Sequence, residues 1–177
     1  MSVEVAAVKL REWLETDLPF LLAVRNNVAL QAQLLATARG SDEAAVRAWL
    51  TRRTEGPERI FRVIAETKTD RPVGFLQADV VNESLDGWSF GICIDPPFQG
   101  VGYGTMALVA LERELADRFG ARNIKLEVDS ANYRAIRCYK RLGYEEQSAP
   151  AREVMVCDKP RKAIAMAKSL ERIGDHQ

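Results

Sequence analysis

Residues 99–105 read Gln-Gly-Val-Gly-Tyr-Gly-Thr and join a predicted strand to a long amphipathic helix. Glycines alternate here at Gly100, Gly102 and Gly104. Because glycine has no Cβ, successive backbone N–H groups can turn toward one point at the start of the helix, where the helix dipole also favours an anion. A pyrophosphate fits such a turn. Glycine also occurs in strand-to-helix turns for steric reasons alone, so this segment needs support from elsewhere in the chain.

Two familiar nucleotide-binding motifs do not fit the segment. A P-loop closes its glycine run with Lys-Ser or Lys-Thr, whereas Gly104 is followed by Thr105 and Met106. A dinucleotide-binding turn has the spacing G-x-G-x-x-G, and the third glycine here comes one position too early. The chain also has one predicted βαβ unit of this kind. Both motifs are therefore excluded.

A second motif follows the next predicted strand. Residues 132–144 read Asn-Tyr-Arg-Ala-Ile-Arg-Cys-Tyr-Lys-Arg-Leu-Gly-Tyr. This segment, preceded by Gln99-x-x-Gly102-x-Gly104, resembles motifs B and A of the GNAT N-acetyltransferase superfamily. The spacing between the motifs suits one helix, one strand and one loop. The resemblance covers nearly the whole chain and is greatest to a bacterial branch that includes spermidine, ribosomal-protein N-terminal and amino-sugar acetyltransferases.

The resemblance implies one α/β (α+β) domain over residues 1–177. Its sheet is expected to be mixed and mostly antiparallel, with six to seven strands, about four flanking helices and a splayed central strand pair. Alternating hydrophobicity predicts strands at 3–11, 61–66, 72–81, 88–94, 124–129, 152–157 and 162–169. Helices are predicted after an N-cap at Thr16, after Ser41, after Gly104 and over 131–142.

Composition agrees with an enzyme domain of the cytoplasm. The 177 residues are 47% hydrophobic, with 25 basic and 25 acidic side chains, which argues against a nucleic-acid partner. The sequence has no apolar run of bilayer length and no signal peptide, so no membrane partner is expected. Three cysteines without C-x-x-C spacing and one histidine, His176, predict no metal site. A homodimer is left open.

The resemblance further implies acetyl-CoA as co-substrate, bound mainly by backbone. The pyrophosphate is expected at the turn, and the pantetheine arm along a strand edge like an added strand. Asn132 is expected to bond the pantetheine arm or the diphosphate region, although a helix N-cap is an alternative role. The implied coenzyme-binding residues are Ile92, Cys93, Ile94, Gln99, Gly100, Val101, Gly102, Tyr103, Gly104, Thr105, Asn132 and Ala135.

Tyr139 is the predicted catalytic residue, because the tyrosine at this motif position points at the coenzyme sulfur in the family. A phenol stays protonated at neutral pH and can donate a proton to the departing thiolate. The alternative is a tyrosine that only packs the short helix on the sheet. Cys138 is expected to face elsewhere, and Cys93 to be a small buried hydrophobe. Transfer should then be direct, with no acetyl-enzyme.

The general base is not identified by the sequence. Many relatives have a glutamate where this chain has Ser89, and serine is no base at neutral pH without help. The alternatives are an ordered water, Glu127 on the neighbouring strand, a loop acid such as Glu83 or Asp86, or an amine that arrives unprotonated. Each acid also has an ordinary role as a solvated surface group.

The acceptor is expected to be a primary amine on a small molecule, a polyamine or an amino sugar. A polycation needs an acidic pocket, and the candidate acids are Asp42, Glu43, Asp79, Glu83 and Asp86. A protein N-terminus is the alternative acceptor. A non-catalytic acyl-CoA-binding module is the alternative outside enzymes, and the presence of Tyr139 argues against it.

Overall fold

The computed structural model describes residues 7–171, and His176 and the first residues of the predicted strand at 3–11 lie outside them. The strands are β1 (Val8–Arg11), β2 (Arg59–Glu66), β3 (Pro72–Val80), β4 (Gly87–Ile94), β5 (Asn123–Asp129), β6 (Glu145–Glu146), β7 (Arg152–Val156) and β8 (Lys159–Ser169). The α-helices are α1 (Leu18–Asn26), α2 (Val28–Gln33), α3 (Glu43–Thr54), α4 (Tyr103–Phe119) and α5 (Tyr133–Arg141). The predicted fold class is confirmed, with one strand and one helix beyond the expected numbers among the described residues.

The strands form one sheet in the order β1-β2-β3-β4-β5-β8-β6, with β7 also paired to β8. Every pair is antiparallel except β4 and β5, which flank the crossover helix α4. These two strands pair only at Gly87–Ser89 against Asn123–Lys125 and then diverge. The predicted splay of the central pair is thus present, and it opens the sheet toward the ends of both strands.

Each face of the sheet carries its own hydrophobic core. Helices α4 and α5 cover one face, where Leu108, Leu111 and Leu115 of α4 are fully buried against β4 and β5. Helices α1 to α3 cover the other face, where Trp49 packs edge-on to Phe61 of β2. Because side chains alternate along a strand, the residues of β4 point in turn toward the two helical layers.

Local boundaries differ from the predictions at three points. Helix α1 begins after Asp17 rather than at Thr16, because residues 15–17 form a 3₁₀ turn in which the Asp17 carboxylate is buried against Arg11. Helix α2 was not predicted, and Asn27 caps it by accepting from the Leu30 N–H. The closing hairpin turns earlier than predicted, at 157–158, where both residues adopt positive φ.

Candidate active site

A cleft of about 890 Å³ runs through the gap between β4 and β5. Such a volume lies in the range of ligand pockets. The residues that line it include the turn at Gln99 and helix α5 on the α4 and α5 face, and this end is called the first mouth. They also include residues of α1, α2 and β3 on the α1 to α3 face, and this end is called the second mouth. A single extended ligand can therefore reach from one face of the sheet to the other.

The glycine-rich turn places the N-terminus of α4 at the first mouth. Gly100 and Gly102 have φ of +82° and +89°, a left-handed conformation that favours glycine. Gly102 is the N-cap of the 17-residue helix and makes no side-chain capping bond. The first N–H groups of α4 thus have no capping side chain and lie beside the cleft, where the helix dipole favours an anion.

Two side chains of the turn bond to neighbouring strands and so hold the turn in place. Gln99 donates from Nε2 to the Ile94 carbonyl at 2.8 Å, which ties the turn to the end of β4. The Tyr103 hydroxyl donates to Glu66 at 3.1 Å, so its ring extends toward β2. These contacts leave the backbone of the turn as the part available to a ligand.

Strand β4 supplies the wall of the cleft at 92–94. Because β5 has diverged there, one edge of this segment has no strand partner among residues 7–171. Cys93 is 1% exposed and faces the α1 to α3 core. Burial, and then the charge of Asp95, raise the pKa of its thiol to about 12. The thiolate is disfavoured, which agrees with the prediction that Cys93 is a buried hydrophobe and no nucleophile.

The turn between β5 and α5 forms the opposite wall. Asn132 caps α5, because its Oδ1 accepts from the Ala135 N–H at 3.2 Å. The alternative role considered for Asn132 is therefore present, and the residue also lines the cleft. Asp129, 3% exposed, accepts from the Ala131 N–H at 2.9 Å and from Arg161 at 2.8 Å. This pairing fixes the start of the helix that carries Tyr139.

Tyr139 is half-buried and lines the cleft. Its ring packs edge-on to Phe90 of β4 and to Tyr144, with centroids 6.1 and 5.9 Å away. Burial raises the pKa of its phenol above the ordinary value, so the hydroxyl is protonated across the physiological range. Cys138 lines the cleft as well, contrary to the prediction, and its sulfur lies 3.3 Å from the Thr105 hydroxyl.

All the predicted coenzyme-binding residues line this cleft except Val101, whose side chain is 60% exposed. Sequence reasoning missed three arginines of α5 that also line it, Arg134, Arg137 and Arg141. Their spacing of three and four residues was a readable signal, because it places them along one side of a helix. A Cβ built on Gly100 would lie 2.7 Å from Nη2 of Arg134, so a guanidinium covers the turn.

Of the candidate bases, only Glu127 lines the cleft. It pairs with Arg152 at 2.5 Å. Ser89 lies in the paired base of the splay, opposite Lys125. Asp86 precedes β4 at the far end from the gap, where bonds from Asn82 and Ser84 lower the pKa of its carboxyl. Neither Asp86 nor Glu83 is among the lining residues.

The acids expected to attract a polycation lie outside the cleft. Asp42 caps α3, Glu43 pairs with Arg47, and Asp79 pairs with Arg53. The second mouth instead carries polar and cationic side chains from α1, α2, β3 and β8, namely Arg25, Gln31, Gln33, Gln77 and Arg161. The prediction of an acidic acceptor pocket from those five residues is not supported by their positions.

Among the described residues, no helix is long and apolar enough to cross a membrane. The same part of the chain has no group of three or more histidine, cysteine or acidic side chains positioned to hold a metal ion.

The fold and the cleft together are typical of a protein that binds an extended ligand between two diverging parallel strands. The model of the Acetyltransferase (GNAT) family matches residues 9–144. The chain belongs to this family.

Two curated relatives match shorter stretches. An uncharacterized N-acetyltransferase of Methanocaldococcus jannaschii is 35% identical over 104 residues, which cover 56% of this chain and 43% of the relative. A ribosomal-protein alanine N-acetyltransferase of Salmonella typhimurium is 39% identical over 80 residues, which cover 45% of this chain and 52% of the relative. The chain thus spans about half the length of these relatives.

Solved structures agree in fold over almost the full length. A spermidine N-acetyltransferase from Vibrio cholerae, crystallised with CoA and spermine, superposes with a TM-score of 0.84 at 16% identity, covering 94% of this chain and 97% of that one. A GNAT-family acetyltransferase from Bacillus anthracis superposes with a TM-score of 0.80 at 12% identity, covering 97% of this chain and all of that one. At such identities the likeness establishes the fold alone.

Proposed function

We propose that the protein transfers an acetyl group from acetyl-CoA directly to a primary amine of a small molecule. The observation that carries this proposal is the position of Tyr139, a half-buried and protonated phenol that lines a cleft between a helix N-terminus suited to an anion and a second, polar mouth. Membership in the GNAT family gives the reaction class.

The residues present suit a CoA thioester. Backbone N–H groups at the start of α4, with Arg134 beside them, supply donors and positive charge for a pyrophosphate. The unpartnered edge at 92–94 offers backbone groups to the two amides of a pantetheine arm. Asn132 also lines this cleft, and its amide NH2 is not used in capping α5.

In the proposed reaction the amine nitrogen forms a bond to the acetyl carbon, and the bond from that carbon to sulfur breaks. Tyr139 donates its proton to the departing sulfur. The amine loses a proton to water or, through water, to Glu127, which is the one carboxylate among the candidates that lines the cleft. Cys93 takes no acetyl group, because its raised pKa keeps it as a thiol.

The acceptor is proposed to be a small amine because the second mouth is bounded by α1, α2 and the strand β3. A polyamine and an amino sugar both meet this description, and a peptide N-terminus is the alternative. The positions of the acids give no support to a polycation in particular.

The test is a thiol-release assay with acetyl-CoA and a panel of polyamines, amino sugars, amino acids and peptides, with product masses recorded. Saturable thiol release that depends on one class of amine, together with its acetylated product, is the expected result. Intact-protein mass after acetyl-CoA alone should stay unchanged, because no acetyl-enzyme forms. Thiol release at the same rate with and without every amine would show hydrolysis and refute the transfer.

A further inference from the structure

One arginine at the second mouth differs from the others of similar burial. Five arginines in the described part of the chain are half-buried, and four of them pair with a carboxylate. The four pairs, at 2.5 to 2.8 Å, are Arg11–Asp17, Arg53–Asp79, Arg62–Glu114 and Arg161–Asp129. The fifth, Arg25 on α1, has no carboxylate partner among the described residues. Its Nε is buried there and makes no hydrogen bond.

The surroundings of Arg25 make an unpaired cation costly. Its guanidinium lies over the ring of Trp49, 4.2 Å from the centroid. Trp49 in turn packs edge-on to Phe61 and Phe75, so the guanidinium lies on an aromatic surface, which attracts a cation but offers it no hydrogen-bond acceptor. Burial, and then the charge of Arg52, lower the pKa of Arg25 below its ordinary value. An anion from outside the chain would remove this penalty.

A second polar group at the same mouth also has no partner. Oε1 of Gln77 on β3 is buried and accepts no hydrogen bond from the described residues. Gln77 is paired in register with Gly91 of β4, and a Cβ built on Gly91 would lie 3.9 Å from the Gln77 side chain. Gln77 therefore lies at the wall of the gap, and it offers an acceptor where Arg25 offers donors.

We infer that the acceptor amine also carries a carboxylate, which Arg25 binds over the Trp49 ring. The inference rests on the proposed acetyl transfer and names the chemical class of its acceptor. An amine that donates to Gln77 and a carboxylate that accepts from Arg25 together describe an amino acid, or a peptide whose N-terminal residue is acidic. A polyamine could donate to Gln77, but its positive charges would be repelled by the guanidinium of Arg25.

The experiment compares amino acids with their carboxamides, which are close in size but lack the negative charge, and kcat/KM is expressed per unprotonated amine because the amine of a carboxamide is the weaker base. The wild-type protein should acetylate at least one amino acid with kcat/KM about 10- to 100-fold above that of its amide, since a hydrogen bond to a charged group contributes that factor. Arg25→Gln should remove this preference, mainly by raising KM for the amino acid. Arg25→Lys, which keeps the charge, should retain part of it. Peptides that begin with Asp or with Asn distinguish the two sources of carboxylate.

Arg52→Gln is the matched control, because it removes an equal charge from the neighbouring, exposed position on α3. Its preference for the carboxylate should equal that of the wild type. Titration calorimetry of the same amino acids into CoA-saturated protein is a second readout that needs no turnover. Binding that Arg25→Gln abolishes, without turnover of any amine, would keep the carboxylate site and refute the transfer reaction. Equal use of acids and amides, or a preference for diamines that Arg25→Gln leaves unchanged, would overturn the inference.

Discussion

Replacing Tyr139 by phenylalanine removes one hydroxyl that makes no hydrogen bond to the described residues. The ring contacts with Phe90 and Tyr144 remain, so the free energy of unfolding should change by no more than about 0.5 kcal/mol. If the phenol protonates the departing sulfur, kcat should fall by about 10²- to 10⁴-fold. That loss corresponds to about 2.7 to 5.5 kcal/mol of transition-state stabilisation. KM for acetyl-CoA should change little, because the bond forms mainly in the transition state.

The chain contains a matched control one ring away. The Tyr144 hydroxyl donates to Glu112 at 2.8 Å, and Lys168 holds the other oxygen of that carboxylate at 2.7 Å. Tyr144→Phe should therefore lower the free energy of unfolding by about 1 kcal/mol and leave kcat within a few-fold of the wild type. A loss of rate without a loss of stability in Tyr139→Phe, and a loss of stability without a loss of rate in Tyr144→Phe, would distinguish a catalytic role from a packing role.

The pH dependence supplies an additional check. Burial raises the pKa of Tyr139, so its protonated form persists above the ordinary titration range of tyrosine. The rate should then show no loss from this residue as pH rises to about 10. Stopped-flow measurement of thiol release would report kcat under conditions where chemistry limits the rate. A Tyr139→Phe protein with wild-type kcat under those conditions would leave the tyrosine with a packing role alone.

Three further predictions concern the turn, the thiol and the first loop. Gly102→Val should weaken CoA binding in calorimetry and lower the free energy of unfolding by about 1 to 2 kcal/mol, because φ at this residue is +89°. The control is Gly104→Ala, which should keep the stability of the protein because the position is helical and the nearest side chain lies 3.8 Å away. Unchanged CoA affinity in a folded Gly102→Val protein would exclude the pyrophosphate assignment. Cys93→Ala should retain kcat within a few-fold of the wild type. Intact-protein mass should show little alkylation of Cys93 at pH 8, because burial raises the pKa of its thiol to about 12. Rapid loss of activity on alkylation of this residue would argue for a covalent route. Asp17→Asn should lower the free energy of unfolding, measured in urea, by about 3 kcal/mol, because the buried carboxylate accepts two hydrogen bonds from Arg11 and one from the backbone. Asp70→Asn removes an exposed ion pair with Arg11 and should lower the free energy of unfolding by about 0 to 1 kcal/mol. Equal effects of the two substitutions would contradict the role of burial.

Local pattern was sufficient for the long elements of the fold. The apolar stripe of α4 and the alternation of β5 are strong periodic signals, and the structure has both elements at the predicted places. Helix α2 has six residues and β6 has two, which is too short for a periodic signal. The N-cap of α1 was predicted at Thr16 from residue preference alone, which does not report that the Asp17 carboxylate pairs with Arg11, six residues earlier.

The site divides in the same way. The proposed coenzyme side lies within two continuous motifs, so the resemblance to the GNAT family could assign the residues from Gln99 to Thr105 and from Asn132 to Tyr139 to it. The acceptor side combines single residues from α1, β3 and β8, and each one is ordinary in its own segment. Arg25 gained significance only when folding set it on Trp49 without a carboxylate beside it. Charge counted along the sequence pointed instead to five acids, none of which lines the cleft.

By its backbone ladders the sheet has two halves, which three residue pairs between β4 and β5 join within the described residues, while one hydrophobic core packs against both halves. Strands β1 to β4 complete their ladder on one side, and β5 to β8 complete theirs on the other. Halves connected by so short a seam can open as separate cooperative units, and amide hydrogen exchange would detect this as two groups of protection free energies. A ligand that lies along both strands adds bonds across the seam and favours one concerted transition. Binding of a ligand in the gap between β4 and β5 should thus bring the two groups of protection free energies together, including those of amides far from the ligand.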